Sequence, residues 1–194
     1  MKALLKHRAE FLRALEGFKY DVTEGGIYFP KSRALLNGVF TAIPPDGIEV
    51  LGPNTMATET LIDVLKTYFA ASTQSTGFWL APFSGNVTPQ ATWTGVNFAG
   101  NATEVVNYNQ STRQQWVPDT ITTALAQNAA APGTFTITTG PQTVRGCGLI
   151  ANDSARGGIT GRLVAAARFA ADITGLPTAA DLGVKYAITS ADGG

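Results

Sequence analysis

The sequence predicts a β-rich α+β protein: N-terminal amphipathic helices followed by a C-terminal antiparallel β-sandwich of jelly-roll or immunoglobulin-like type. Three observations predict it. Helical periodicity is confined to the first third of the chain. Beyond residue 76, short apolar runs are parted by Gly, Pro, Asn and Thr, and several alternate with period two. The 194 residues are enough to bury roughly 70% of the surface that the unfolded chain exposes, so a core can form without a disulfide or metal staple.

The first element is a helix predicted over residues 3–16. Leu4, Leu5, Arg8, Phe11, Leu12 and Leu15 follow the i, i+1, i+4, i+7, i+8, i+11 spacing of one helical face, and Gly17 supplies a stop. Leu61, Ile62, Leu65, Tyr68 and Phe69 repeat the pattern and predict a second helix, with Asn54 and Thr55 as N-cap candidates and Glu59 placed to favour the helix dipole. Between them, residues 25–30 and 35–43 read as extended pieces forming a small hairpin, closed by the turn chemistry of Pro44-Pro45-Asp46-Gly47. The sandwich strands are predicted at 78–83, 103–108, 135–139, 144–150, 163–169 and 184–189. Phe135, Ile137 and Thr139 oppose Thr134, Thr136 and Thr138, and Val184, Tyr186 and Ile188 oppose Lys185, Ala187 and Thr189, residue types that suit a half-buried pleated surface. These elements divide the chain into a helical N-terminal part, 1–75, and a sandwich domain, 76–194. That boundary vanishes if the second helix packs across a sheet.

Charge and composition exclude several function classes. Fourteen basic and fourteen acidic residues cancel, leaving no long-range attraction for nucleic acid or an anionic membrane. Charged residues make up only 14% of the chain, so much of the surface consists of small neutral side chains that lose little on desolvation against a partner. No run approaches the length of a bilayer span. The spaced apolar positions of the N-terminus lack the core and cleavage site of a signal peptide, and the expectation is a protein made without one. Seven basic residues, Lys2, Lys6, Arg8, Arg13, Lys19, Lys31 and Arg33, lie in the first sixth of the chain. The Asn-x-Ser/Thr sequons at Asn86, Asn101, Asn109 and Asn152 follow from the abundance of these residue types.

The chemistry-bearing motifs are few. Gly146-Cys147-Gly148-Leu149-Ile150-Ala151 matches the dinucleotide fingerprint in letters, but its glycines lie inside a strand-like run with no helix starting at them. Mid-strand glycines mark close approach or a bulge, and Cys147 reads as a small buried hydrophobe. Gly157-Gly158-Ile159-Thr160-Gly161-Arg162 resembles a phosphate-cradling loop without its Lys-Ser/Thr ending and reads as a tight hairpin connection. His7 lies opposite the apolar stripe of the first helix and, with one His and one Cys in the chain, joins no triad or metal set. Glu104, Asp119 and Asp153 are formal candidates for an acid pair, with no further signal. The expectation is a non-enzyme with no cofactor and no metal. Trp79 reads as core; Trp93 and Trp116, in Thr-, Gln- and Asn-rich stretches, are candidates for core or interface alike.

The run Gly77-Phe78-Trp79-Leu80-Ala81-Pro82-Phe83-Ser84-Gly85-Asn86-Val87-Thr88-Pro89 is followed by Thr92-Trp93-Thr94, Asn97-Phe98-Ala99 and Ala102-Thr103-Glu104. With residues 108–116 including Thr112-Arg113, then Val144-Arg145-Gly146 and residues 157–169, these pieces resemble structural proteins of tailed bacteriophages, short-tailed ones in particular. The likeness is one of texture and motif order over most of residues 1–190. It departs at Ala180-Asp181-Leu182-Gly183-Val184-Lys185-Tyr186, where the related proteins introduce the final strand with Gly-Asp. The resemblance implies a virion component assembled in the bacterial host cytoplasm, with a capsid cement or decoration protein as the leading reading. Its implied partners are the major capsid protein and further copies of itself, with no nucleic acid and no membrane. The implied interface is the first helix, through Leu4, Leu5, Arg8, Phe11, Leu12 and Leu15, together with Trp93 and Trp116. A head-to-tail adaptor or tail ring protein, and a glycan-binding fibre-like module, are the alternatives.

Overall fold

The computed structural model describes residues 21–23, 26–28, 34–121 and 123–192. The helix expected over 3–16, with Leu4, Leu5, Arg8, Phe11, Leu12 and Leu15, and His7 with it, lies outside the described residues. β1 (Asp21–Thr23) and β2 (Gly26–Tyr28) pair antiparallel as a two-stranded sheet. They belong to a unit distinct from the one formed by residues 36–189.

That second unit has the expected β-rich architecture, two sheets of five strands with antiparallel pairing and a shared core. One sheet runs in the order β5 (Thr55–Met56), β11 (Arg162–Leu176), β10 (Gln142–Ala151), β6 (Phe78–Phe83), β7 (Gln114–Gln115). The other runs β4 (Val50–Pro53), β3 (Ala34–Ile43), β12 (Asp181–Asp192), β8 (Leu125–Gln127), and β9 (Gly133–Thr136) pairs with the first half of β12. β3 and β5 sit in opposite sheets, so the boundary expected at residue 75 falls inside this unit.

The hairpin chemistry was legible, but not its strand partners. Gly47 N–H donates to the Pro44 carbonyl, closing the turn between β3 and β4, while β2 pairs with β1 instead of β3. Runs 78–83, 144–150, 163–169 and 184–189 are all strands, three of them longer than the run that marks them. Run 103–108 is not a strand. It follows α2 (Gly95–Ala102), an unpredicted helix, and is held by isolated pairings of Glu104 with Phe83 and Tyr108 with Ile137, by Val105 N–H donating to the Pro82 carbonyl at 2.8 Å, and by burial of Val105 and Tyr108 in the main core.

The inner face of the β5–β7 sheet contributes Leu80, Cys147, Leu149 and Ala165 to the main core, where they meet Phe40, Leu182, Val184 and Tyr186 of the other sheet. Phe40 stacks on Tyr186, and Trp116 meets Tyr186 edge-on with its Nε1–H donating to the Tyr186 carbonyl at 3.0 Å. The outer face of the same sheet forms a second core: Ala81, Phe83, Ile150, Leu163 and Ala166 under Trp93, Phe98 and Ala102. A sheet covered on both faces needs apolar residues at consecutive positions, which is why β10 shows no alternation.

Gly146-Cys147-Gly148 fits this two-sided burial. Cys147 turns into the inner core, wholly buried, and burial pushes its thiol pKa well above the ordinary value. The two glycines lie where rings press on the backbone. A Cβ on Gly146 would collide with the Phe83 ring and the Ala167 carbonyl, and one on Gly148 would lie 2.6 Å from Phe98. Replacement of Gly148 by Ala is expected to destabilise the domain by about 1–3 kcal/mol through overpacking. The Gly148→Ala, Phe98→Leu double variant should recover part of that loss. Urea denaturation of the four-member cycle measures both, and additive effects would show that Phe98 is not the obstacle.

Candidate functional site

The helix predicted from Leu61, Ile62, Leu65, Tyr68 and Phe69 is α1 (Thr58–Phe69). Its N-cap is Ala57, not Asn54 or Thr55, and no side chain caps it. Thr55 is in β5, and Asn54 serves the sheets: its Oδ1 accepts from Gly38 N–H at 2.9 Å and its Nδ2 donates to the Tyr186 hydroxyl at 2.9 Å.

The face that α1 turns to the body is the polar one. Glu59 Oε1 accepts from the backbone N–H of Gly95, at 2.7 Å, and of Leu163. Thr60 Oγ1 donates to the Leu163 carbonyl at 2.7 Å, and Asp63 pairs with Arg162 at 2.6 Å. None of the helix residues is buried, and Leu61, Ile62, Leu65, Tyr68 and Phe69 are exposed, Tyr68 at 82% and Phe69 at 77%. An apolar stripe ordinarily faces the core; here buried backbone donors of α2 and β11 require a carboxylate, and Glu59 supplies it by turning the stripe outward.

Beneath α1 lies an apolar cavity of about 320 Å³, open to the surface. Its floor contains Leu149, Ala151, Val164, Trp116 and Tyr186, and Val64, Tyr68 and Leu36 stand at its edge. The mouth carries Asp63 and Arg162, already paired with each other, and Ser75, whose Oγ accepts from Arg162 Nη2 at 2.7 Å.

The second polar feature is internal. Arg113, 1% exposed, forms a bidentate pair with Glu104, Nε to Oε1 at 2.9 Å and Nη2 to Oε2 at 2.7 Å. It also donates to the carbonyls of Asp153 and Gly158, each at 3.0 Å, and its Nη1 lies 3.7 Å from Asp153 Oδ2. The connection between β10 and β11, residues 152–161, is longer than a tight turn because it wraps around Asp153. Ala155 N–H donates to Oδ1, and Thr160 N–H and Oγ1 donate to Oδ2, all at 3.0 Å. A Cβ on Gly158 would strike the carboxylate. The loop that resembles a phosphate cradle does hold an anion, and the anion is the protein's own side chain. Burial acts to raise the pKa of Asp153, while the donors from Ala155 and Thr160 and the charge of Arg113 outweigh it and hold the carboxyl below its usual range.

Glu104 and Asp153 are thus committed to Arg113, and Asp119 Oδ2 accepts from Ala130 N–H at 3.3 Å in an exposed position. Among the described residues no three His, Cys, Asp or Glu side chains gather as a metal site, and no helix is long and apolar enough to cross a membrane. Trp93 and Trp116 are buried, one against Phe98 in the outer core and the other between the sheets, which removes both from the candidate interface. Trp79, read as core, is only half-buried and covers Gly77. No family model, no curated protein and no solved structure matches the chain.

Two outcomes follow from the Arg113 node. Arg113→Met leaves two carboxylates without their cation and is expected to cost about 3–5 kcal/mol in urea denaturation. Arg113→Lys should recover less than half, since an ammonium cannot reproduce the fork. Because Asp153 has a lower pKa folded than unfolded, its contribution is complete above its ordinary value of 3.8 and is lost as pH falls from there through the folded value. Melting temperature should therefore fall as pH is lowered below 3.8, and less steeply in Asp153→Asn. Parallel curves for the two proteins would refute this assignment.

Proposed function

We propose that the chain is a non-enzymatic structural protein of a tailed-bacteriophage virion, a cement or decoration protein that binds the major capsid shell and bridges neighbouring subunits. The observation that carries this reading is the outward apolar face of α1. Contiguous exposed apolar surface on a folded domain marks a site of protein association. The neutral composition supports it as well: Ser, Thr, Asn and Ala around such a patch cost little to desolvate, and many copies on a lattice multiply a modest contact. The phage setting comes from the motif-order resemblance, and the finer assignment of the two sheets to a jelly-roll or immunoglobulin-like sandwich belongs to the same reading. The glycan-binding alternative draws no support from Trp93 or Trp116, which are core residues.

The decisive experiment is quantitative protein content of purified virions. A copy number near that of the shell subunit is the expected result, whereas six or about twelve copies would assign a ring. The Leu61→Ser, Leu65→Ser, Phe69→Ser variant should melt close to wild type, since surface changes of this kind cost about 0.5 kcal/mol or less each, yet occupy particles at least tenfold less. Wild-type occupancy should persist in about molar NaCl, where the Debye length is only ~3 Å. Particles without the protein should release DNA at lower temperature. Release by moderate salt, or equal heat stability with and without the protein, would overturn the cement reading.

A further inference from the structure

The cavity under α1 has properties that neither packing nor assembly explains. Interiors are ordinarily filled to crystal-like density, and an apolar cavity of about 150 Å³ already accommodates a benzene ring. This one is about 320 Å³. A single inserted Leu or Phe side chain from a partner would leave about half of it empty. At roughly 30 Å³ per small heavy-atom group, the share of a water molecule in the liquid, the space suits on the order of ten non-hydrogen atoms.

The floor sets the chemistry. The Trp116 Nε1–H on it is already spent, donating to the Tyr186 carbonyl, and the Tyr186 hydroxyl accepts from Asn54 and keeps only its own O–H to offer. Leu149, Ala151 and Val164 offer no polar side-chain atom. Water on this floor would find at most the one Tyr186 O–H, fewer than the two to four partners that hold a buried water, and a polar ligand group would lose most of its hydration without replacement. The mouth differs, with Arg162, Asp63, Ser75 and Gln74 around it. There the charge of Arg162 is balanced by Asp63 at 2.6 Å, so no net charge is left to attract an ionic head group.

We infer that this cavity binds the alkyl chain of a neutral single-chain amphiphile, with the chain on the floor between the sheets and an uncharged polar head at the mouth beside Gln74 and Ser75. Entry is past Val64 and Tyr68 of α1. The assignment is independent of the capsid reading, because it rests on the cavity and not on the outward face of the helix.

The test is calorimetric titration of the full chain with 1-octanol, with sodium octanoate as the charged counterpart. The expected result is saturable one-to-one binding of octanol with Kd on the order of 100 µM, and octanoate at least fivefold weaker. Ala151→Leu fills the floor and Val64→Trp closes the mouth; each should weaken octanol at least tenfold. Val64 is exposed, so its variant folds even if the floor variant does not, and circular dichroism melts check both. Absence of saturable octanol binding, or equal binding by wild type and both variants, would overturn the proposal. Tighter binding of octanoate would overturn the neutral head group. Self-association that disappears in Val64→Trp while octanol does not bind would assign the cavity to a protein partner and sink the inference too.

Discussion

The buried guanidinium of Arg113 ties together parts of the chain that no regular structure connects. Glu104 lies just after α2, Asp153 and Gly158 lie in the connection between β10 and β11, and Arg113 lies just before β7. None of these segments has enough strand pairing to fix its own position. A cation taken out of water is costly unless its partners are complete, and here the partners are two carboxylates and two carbonyls, which leave one arrangement of the three segments that satisfies the charge. The outer core depends on that arrangement, because α2, whose end leads directly into Glu104, and Trp93 just before it are what cover Phe83, Ile150 and Leu163. The node therefore contributes less as raw stability than as a constraint on which loops meet.

The two-sided burial that follows explains which features were legible in the sequence. Strands β6, β10, β11 and β12 were visible as apolar runs, and in the alternating segments Phe135, Ile137, Val184 and Tyr186 do face the core, but the run predicted over 135–139 ends as a strand at Thr136, with Ile137 in an isolated pairing and Thr139 exposed. α2 was invisible for a physical reason. Its eight residues, GVNFAGNA, hold two glycines and two asparagines, poor helix formers. Its helical state comes from capping and tertiary support, with Asn97 Oδ1 accepting from Thr94 N–H at 2.9 Å, Glu59 accepting from Gly95 N–H, and Phe98 seated over Gly148. The Thr94-x-x-Asn97 spacing was the one local signal, a weak relative of the capping box.

The acid residues illustrate a different limit. Glu104, Asp119 and Asp153 carry no signal in the sequence beyond being acidic, and sequence distance hides that Arg113 falls between two of them in space. The Gly157-to-Gly161 run reads in sequence as a tight hairpin connection, yet its length and purpose follow from an internal carboxylate that it must enclose. A loop rich in glycine and Thr is suited to surrounding an anion whether that anion is a ligand or a side chain. Only the presence of Asp153 on the same connection distinguishes the two, and it was already there to be read.

α1 inverts a rule that sequence reading relies on. The stripe of Leu61, Ile62, Leu65, Tyr68 and Phe69 is as regular as that of any core-facing helix, and periodicity alone cannot tell an inward stripe from an outward one. The deciding quantity is the competing demand of the polar face. Burying Leu61, Leu65 and Phe69 would each gain about 1.5–3 kcal/mol, but only by withdrawing Glu59 and Asp63 from two backbone donors and from Arg162. Unpaired buried donors cost about 1–3 kcal/mol each, and a broken charge pair adds to that. The two sums are comparable for the chain in isolation. A helix balanced in this way keeps its polar anchorage and leaves its apolar residues free for a surface that can cover them without that exchange.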